Sequence, residues 1–280
     1  MKKLKVFALC AVIAGLVMSC QKDEGASETP QEEVAAQPTK AQLIKLSNMG
    51  INTDDVKIEK IPMVDGSFEK HLVSGDITIP VADLEKFADL ETLENGDKQF
   101  RTTNIVAPQY RNIRILGYTG GSFALTPKMQ TALSWAVFNY NVLPNTLNFT
   151  LTYGTNTAAA DIVVYKVNGN AGGSAGFPYN NGRPYKWVRI NSGTDALSTN
   201  VNEHVIGHEI GHCIGFRHQD WYNRQSCGQN VNEGDAGVGA IWVFGTPFLS
   251  TEDSIMLACF GANEDGELTD SDKNALNILY

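Results

Sequence analysis

The sequence predicts an α+β fold in which long helices pack on a β-sheet. Short apolar runs with alternating polarity recur between residues 113 and 190, which indicates strands. Apolar residues spaced three and four apart indicate an amphipathic helix at 129–140 and another at 275–279. With 280 residues, 42% of them hydrophobic and 19% charged, the chain can build one ordinary globular core and carry additional N-terminal segments.

The N-terminal residues have the layout of an export signal. Lysines within the first five residues precede an apolar run at 6–18, which is shorter than the roughly 20 residues that a membrane-spanning helix needs. The run ends in Val17-Met18-Ser19-Cys20, which resembles a bacterial lipobox, in which the cysteine is lipidated and becomes the mature N terminus. We therefore predict a signal peptide at 1–19 and lipidation of Cys20. A cleaved secretory signal with ordinary processing is the alternative.

A polar tether is predicted at residues 20–39. This segment is rich in Ser, Thr, Pro and Glu and contains almost nothing to bury, so we expect it to be disordered. Its acidic start, Gln21-Lys22-Asp23-Glu24, resembles the export signals that carry lipoproteins to the cell surface in the Bacteroidetes; a solvated linker is the alternative. We expect an outer-membrane lipoprotein exposed on the surface, with secretion as the alternative.

The charge of the chain limits its partners. The formal net charge is −9, and removing the signal peptide takes away three lysines and no acid, which makes it −12. A strongly acidic chain is a poor partner for nucleic acid. We expect a monomer that contacts a protein or peptide and reaches the membrane only through its lipid anchor.

Two further segments follow the tether. Residues 40–105 are predicted to form a small accessory or pro-domain, and residues 106–280 the main domain. The first contains a helical pattern at 43–46, a strand pattern at 77–79 and a helical pattern at 84–90. In the second, strands are expected at 113–116, 147–151, 161–165 and 186–190. Its helices carry start signals, Thr126 with Pro127 for the long helix and a Thr269–Asp272 capping box for the last one.

The most specific pattern is H-E-x-x-H-x-x-G-x-x-H at residues 208–218. Its five fixed positions would agree by chance in about one chain in 100,000 of this length. On a helix, His208 and His212 lie about 40° apart and can reach one ion. Glu209 lies about 100° from His208, where it can hold the water that the metal activates, so it is the candidate general base. Gly215 can end the helix in a left-handed conformation, which lets His218 approach the same ion.

The ligand set predicts a catalytic zinc ion. Three neutral imidazoles leave a fourth position open, whereas structural zinc sites close it with a protein ligand. A rival pair, His204 and His208, lacks the following glutamate, so we expect His204 to have a capping or supporting role. Three acids near the last helix could bind calcium: Asp265, Glu267 and Asp270. Because the full calcium-loop pattern is missing, a solvated loop with acids near a helix start is the alternative.

The sequence does not determine which cysteines form a disulfide. Cys213, Cys227 and Cys259 follow the tether, an odd number in an oxidising compartment. The simplest outcome is one disulfide and one buried thiol. Cys227 could pair with Cys259 or with Cys213, and we expect Cys213 in the core or in a disulfide.

Further downstream, Met256 follows His218 by 38 residues in the sequence Ser254-Ile255-Met256, which resembles the Met-turn of metzincin proteases. Position 258 is alanine, so no tyrosine ligand is expected, and Gln219 departs from the residues that astacins and adamalysins have there. The His-Glu-Ile-Gly-His string, Gly75-Asp76-Ile77 and the stretch 98–104 resemble the bacterial dual-action HEIGH metallopeptidases. The resemblance covers most of the chain after about residue 40.

This resemblance implies a metzincin-like catalytic domain. Such a domain has a twisted, mainly parallel sheet with an antiparallel edge strand, an active-site helix, a Met-turn at Met256 and a C-terminal helix. The implied activity is that of a zinc endopeptidase, with residues 177–191 in the place of the strand that binds extended substrate. An ordinary glycine-rich loop before a core strand is the alternative for this segment. A surface binding or adhesion lipoprotein with a plugged metzincin domain is the alternative. Aromatic residues that either line its pocket or pack in its core are Trp221, Tyr222, Trp242 and Phe244.

Latency in such an enzyme would need an unusual blocking group. No cysteine lies between residues 21 and 212, so a cysteine from the pro-domain cannot block the zinc. An acidic side chain must then serve, and Asp76 is the candidate; simple turn chemistry at Gly75-Asp76 is the alternative. Activation by cleavage in the basic stretch near Arg101, Arg111 or Arg114 is a hypothesis.

Overall fold

The computed structural model describes residues 37–89, 100–233, 240–246 and 252–280. The predicted signal peptide, Cys20 and all but the last residues of the tether therefore lie outside the described residues. From Ala35 to the C terminus the chain forms one unit. No helix within the described ranges is long and apolar enough to cross a membrane.

The N-terminal part of the described chain is a helix followed by an antiparallel sheet. Helix α1 is Lys40–Asn48, and the strands are β1 (Lys57–Pro62), β2 (Phe68–Ser74) and β3 (Ile77–Pro80), with β2 in the centre. Val81–Lys86 then forms a short 3₁₀ helix, which accounts for part of the helical pattern predicted at 84–90. Leu46, Leu72 and Ile79 are buried in the same hydrophobic cluster as the main domain. The domain boundary at residue 105 stays a prediction.

The main domain has the predicted order of elements. Strand β4 (Phe100–Arg101) lies just before the predicted boundary, and the strands of the main domain are β5 (Asn112–Tyr118), β6 (Asn148–Gly154), β7 (Ile162–Val167), β8 (Gly173–Ser174), β9 (Trp187–Asn191) and β10 (Ile241–Trp242). Its helices are α2 (Pro127–Asn141), α3 (Thr199–Ile214) and α4 (Asp270–Leu279). The central sheet has the order β6-β5-β7-β9-β8, with β8 antiparallel to β9 and every other pair parallel. The predicted α+β fold class is confirmed.

The edge strand is not where the sequence analysis expected it. Residues 177–191 were predicted to form the substrate-binding edge, and this was wrong, because β9 lies inside the sheet between β7 and β8. Val188 and Ile190 are fully buried and need neighbours on both sides, whereas the glycine-rich chain at β8 tolerates an edge position. The outer side of this edge is already paired, since Thr78 N–H donates to Ala175 O at 2.8 Å and Ala175 N–H to Asp76 O at 3.0 Å.

The two faces of the central sheet are covered differently. Helices α2 and α3 pack with the residues of one face in the main hydrophobic cluster. The other face carries a smaller cluster around Tyr118 and Tyr165, and Val64 from the N-terminal sheet packs against it. Tyr118 Oη also donates to Val64 O at 3.3 Å. The N-terminal segment thus covers the face opposite the helices.

The hypothetical activation sites are part of this framework. Arg101 lies in β4, which pairs with β10, and Arg114 lies in β5 with its guanidinium on Asp161. Arg111 Nη1 donates to the carbonyl of Tyr280 at 2.9 Å. A cut at these arginines would break contacts of the main domain, and cleavage there stays a hypothesis.

Candidate active site

Helix α3 brings two of the motif histidines to one point. Ser198 caps its start by accepting from Val201 N–H at 3.1 Å, and the helix is buried almost throughout. Gly215 ends it with a φ of 113°, and a Cβ at this position would lie 3.0 Å from Asn104 O. The chain can make this turn because position 215 has no side chain. His218 then reaches the same point as His208 and His212.

The three imidazoles face one another through Nε2. The Nε2 atoms of His208 and His212 are 3.0 Å apart, those of His212 and His218 are 3.2 Å apart, and those of His208 and His218 are 3.3 Å apart. The opposite nitrogen, Nδ1, lies 2.7 Å from Ile255 O in His208 and 2.8 Å from Phe216 O in His212. Because a carbonyl can only accept, the proton of each ring is on Nδ1, and the Nε2 lone pairs converge.

This arrangement fits a zinc ion. Tetrahedral zinc with Zn–N bonds of about 2.0–2.1 Å separates its ligand atoms by about 3.3–3.4 Å, close to the separations of the Nε2 atoms. Burial lowers the pKa of His212 to about 4, so its ring is neutral, as a ligand must be. Within the described residues, only these histidines and Asp76 form a cluster that could hold a metal. Calcium binding by the acids near α4 therefore has no support there.

Asp76 stands at the fourth position. Its Oδ2 lies 2.9 Å from His218 Nε2, 3.3 Å from His208 Nε2 and 3.9 Å from His212 Nε2. Although burial raises the pKa of this carboxyl, the charge of His218 and the contacts with the histidines hold it well below its usual value. Asp76 follows β2, and its carbonyl accepts from the edge residue Ala175. A carboxylate from the N-terminal segment thus lies against the Nε2 atoms, where it could serve as a fourth ligand if the histidines held zinc.

Glu209 is buried beside the histidines. It is 2% exposed, and its Oε2 has no hydrogen-bond partner among the described residues. Burial and the neighbouring Asp76 raise its pKa well above the ordinary glutamate value. A Cβ at Gly173 would lie 2.7 Å from Glu209 Oε1, so the edge strand can pass only without a side chain there. A cavity of about 210 Å³, lined by His208, Glu209 and Asp76 among others, adjoins the carboxylate.

The third histidine has a charged partner that the sequence analysis missed. Glu233, 8% exposed, places its two carboxylate oxygens 2.7 and 2.8 Å from His218 Nδ1. Arg224 Nη1 donates to the same carboxylate at 2.8 Å. Burial lowers the pKa of His218, but Asp76 and Glu233 outweigh it and raise the pKa to about 10 in the absence of an ion. The Glu233 carboxylate therefore fixes the ring of His218 and makes it a stronger ligand.

Changing Glu233 to glutamine should weaken zinc binding about 10- to 100-fold, the usual cost of losing such a partner. The amide can accept the Nδ1 proton but brings no negative charge. Competition with a chromophoric chelator measures the affinity. Glu264→Gln is the matched control, since Glu264 lies 3.8 Å from His204, which is not in the cluster. Equal zinc affinity in Glu233→Gln and the control would contradict this role.

The segment at Met256 lies directly under α3. Met256 is buried, and its sulfur would be 2.5 Å from a Cβ at Gly211, so the glycine lets the turn approach the helix. Asp272 of α4 holds the turn, accepting from Ser254 Oγ at 2.6 Å and from Ile255 N–H at 3.2 Å. This fixes the Ile255 carbonyl that receives the proton of His208. The acid of the predicted capping box thus also supports the site.

A disulfide joins this segment to the loop after His218. Cys227 and Cys259 are bonded, whereas Cys213 is a buried free thiol. In the same loop Asp220 accepts from Ala258 N–H at 2.9 Å and from Ser226 Oγ at 2.6 Å. These contacts connect the chain on both sides of the cavity beside the histidines.

The remaining candidates lie around the cluster. His204 is buried, its Nε2 has no partner among the described residues, and burial lowers its pKa to about 3. Trp221 packs edge-on against Phe100 at 5.2 Å, and Phe244 is 80% exposed. The side chain of Trp242 lies outside the described residues. On the cavity wall the structure instead has Leu257, Ala258 and Phe260.

Glu203, on the same helix, predicts a pH-dependent stability. Burial raises its pKa from 4.5 to about 8, and Asn139 Nδ2 donates to it at 2.9 Å. The folded chain keeps a proton that the unfolded chain loses between these values, so the free energy of unfolding falls as the pH rises from 4.5 to about 8. Glu203→Gln removes this titration, and its advantage in Tm over the wild type should grow across the interval. Thermal unfolding at both ends measures it; an advantage independent of pH would contradict the assignment.

Comparison with known proteins identifies the family. The sequence model of the dual-action HEIGH metallo-peptidases matches residues 72–280. The chain belongs to this family. The resemblance predicted from the sequence is thereby confirmed, and the matched range includes both Asp76 and the histidine motif.

Other comparisons are more distant. Two solved structures of myroilysin are similar to the chain, one at 16% identity over 60% of this chain and 91% of that chain with a TM-score of 0.40. The other has 15% identity over 69% and 99% of the two chains and a TM-score of 0.39. A search of curated proteins finds no match. Membership of the HEIGH family makes the chain a metallopeptidase, for which a metal, typically zinc, is implied.

Proposed function

We propose that the chain is a zinc-dependent endopeptidase whose described form is latent. The observation that carries the proposal is the convergence of three Nε2 atoms within 3.3 Å of one another beside the buried Glu209, whose Oε2 has no hydrogen-bond partner among the described residues. Binding sites for other proteins have no use for a buried carboxylate without a hydrogen-bond partner, which costs stability. A catalytic site needs it free to take up a proton.

The proposed chemistry assigns a task to each residue. Zinc held by His208, His212 and His218 would supply a Lewis acid that lowers the pKa of a bound water and polarises the peptide carbonyl. Glu209, which lines the cavity, would take a proton from water and return it to the nitrogen of the leaving amine. Burial and the neighbouring Asp76 raise the pKa of this carboxyl above the ordinary glutamate value, which makes it a stronger base than an exposed glutamate.

Latency is proposed to come from the N-terminal segment. Asp76 lies where water and the substrate carbonyl must bind, and residues 76–78 occupy the sheet edge that would receive an extended peptide. Both contacts must be released before a substrate can enter. A surface lipoprotein that binds a partner and whose histidine site stays permanently blocked would have the same contacts. Assays of proteolysis by the trypsin-treated chain distinguish the two functions.

The general test is hydrolysis of casein by the mature chain before and after limited trypsin treatment. The proposal expects cleavage after treatment, its loss with a zinc chelator and its return on adding zinc. No cleavage by any trimmed form with zinc bound would favour the binding function.

We further propose that Cys20 anchors the enzyme to the outer membrane. The support is the lipobox-like sequence before Cys20 and the acidic residues that follow it. Cys20→Ala should move the chain from the detergent phase to the aqueous phase in Triton X-114 partition. Equal partition of both forms would contradict the anchor.

A further inference from the structure

A second, larger cavity lies on the other side of the edge strand. Its volume is about 510 Å³, and its walls come from β1, β2 and β3 on one side and from β7, β8 and β9 on the other. Gly173 borders both this cavity and the smaller one at Glu209. The cavity therefore lies beside the proposed catalytic centre without being part of it.

Arg189 is a buried charged residue on the wall of this larger cavity. This residue lies on β9 opposite Ser174 of β8 and is only 6% exposed. Its guanidinium has no hydrogen bond or ion pair with any residue in the described ranges. Because Arg189 lines the cavity, its N–H donors are available to a group that binds there.

The neighbours of Arg189 do not neutralise it. Burial together with the charge of Arg189 lowers the pKa of the buried His71 to about 3, so His71 adds no charge. The charge of Arg189 also acts to lower the pKa of the buried Glu209, although the two groups form no ion pair. The other charged residues on the cavity wall are Lys60, Lys166 and Glu59. Positive charge is thus in excess, although the chain as a whole has a net charge of −9.

Polar groups beside Arg189 complete the site. Paired residues of antiparallel strands point to the same face, so the hydroxyl of Ser174 lies on the face of Arg189. Asn191, two residues along β9, also lines the cavity. A guanidinium fork flanked by a second cation and a hydroxyl matches a carboxylate, which it can bind through two parallel hydrogen bonds.

We propose that this cavity binds a carboxylate group, with Arg189 as its main partner and Lys166 as a second cation. The carboxylate can come from the side chain of a glutamate or aspartate in a peptide that lies along β8 after residues 76–78 have left the edge strand, or from a small free dicarboxylate in the cavity as it stands. The first source rests on the proposed peptidase function. It would make Arg189 a determinant of specificity for acidic substrates.

Titration calorimetry on the full mature chain tests the site without any need for activity. The probes are glutarate, its uncharged analogue glutaramide, and inorganic phosphate. Glutarate should bind saturably, glutaramide should not bind, and phosphate should bind more weakly than glutarate. Absence of saturable glutarate binding, or tighter binding of phosphate, would overturn the proposal.

Variants assign the binding to Arg189. Arg189→Met should weaken glutarate at least about tenfold, because a hydrogen bond to a charged group contributes about 1.5–3 kcal/mol. Arg189→Lys keeps the positive charge but loses the paired N–H donors of the guanidinium, so it should bind glutarate with intermediate affinity. This variant also tests the assignment if Arg189→Met does not fold. Arg183→Met is the control, since Arg183 is exposed and stacks on Tyr110 at 4.4 Å. Equal affinity of the wild type and both Arg189 variants would overturn the assignment.

The source of the carboxylate is decided on trypsin-treated chain. The measurement uses pairs of peptides that differ only by glutamate or glutamine on one side of the cleaved bond. The kcat/KM of the glutamate peptide is divided by that of the glutamine peptide. A ratio above one that falls to one in Arg189→Met, and not in Arg183→Met, assigns the cavity to the substrate side chain. A ratio of one together with glutarate binding assigns it to a free dicarboxylate. If no peptide is cleaved, the peptidase function fails, and the calorimetry still decides the carboxylate site.

Discussion

Replacing Glu209 by glutamine is expected to lower peptide hydrolysis about 100- to 10,000-fold, the range that a positioned general base contributes. Glutamine keeps the size of the side chain and its contact with Gly173, but it has no basic oxygen to take a proton from water. Zinc binding should not change, because Glu209 is outside the cluster of potential ligands. Casein hydrolysis by trypsin-treated chain and the zinc content of the same samples measure the two effects.

A matched control for this variant is Glu203→Gln, which removes a buried carboxylate from the same helix at a distance from the histidines. It should keep its activity. Loss of zinc together with activity in Glu209→Gln would indicate a structural role for the carboxylate. Full activity with glutamine at this position would rule out the general base.

Changing Asp76 to alanine is expected to raise the activity of the untreated full chain about 10- to 100-fold. The carboxylate contacts the three histidines, and hydrogen bonds to a charged group contribute about 1.5–3 kcal/mol. Losing this free energy raises the fraction of chains with an unblocked histidine site by the same factor. Residues 77 and 78 keep their pairing with the edge strand, so trypsin treatment should raise the activity further. Casein hydrolysis before and after treatment measures both steps.

The control for Asp76 is Asp65→Ala in the same N-terminal segment. Asp65 lies in an exposed turn, where it accepts a hydrogen bond from Ser67, and it is not part of the histidine cluster. Its loss should leave the chain latent. If Asp76→Ala were no more active than Asp65→Ala, Asp76 would not be the blocking group.

Much of the site is predictable because its geometry is local. His208 and His212 are four residues apart on one helix, and Gly215 turns the chain within three residues of His218. Strand and helix patterns in the main domain rest on local spacing and capping, as with Thr126 and the capping box at Thr269. The family follows from the same local string of residues.

Other features depend on contacts between distant parts of the chain. Asp76 was a candidate from the sequence, but nothing near Gly75-Asp76 distinguishes this acid from a turn residue, and its contact with His208 spans 132 residues. Glu233 lies 15 residues after its partner in a polar loop that resembles any solvated segment. The position of the edge strand was missed for a related reason, since Gly173 and Ser174 carry no strand pattern and pair only because β9 is beside them.

The disulfide shows the same limit. The sequence allowed Cys227 to pair with Cys259 or with Cys213, and spacing alone could not distinguish them. The choice follows from tertiary structure, because Cys213 points into the core from α3 while Asp220 and Ser226 hold the loop of Cys227 against residues 258 and 259.

The central claim is that a zinc ion on the three histidines, with Glu209 as base and Asp76 as block, makes this chain a latent peptidase. Its most direct test compares the full-length Asp76→Ala chain with the Asp76→Ala/Glu209→Gln chain, both containing one zinc per chain. The account predicts that the first cleaves casein, loses this activity to a chelator and regains it with zinc, and that the second is inactive. Equal cleavage by both chains, or cleavage that survives removal of the zinc, would contradict it.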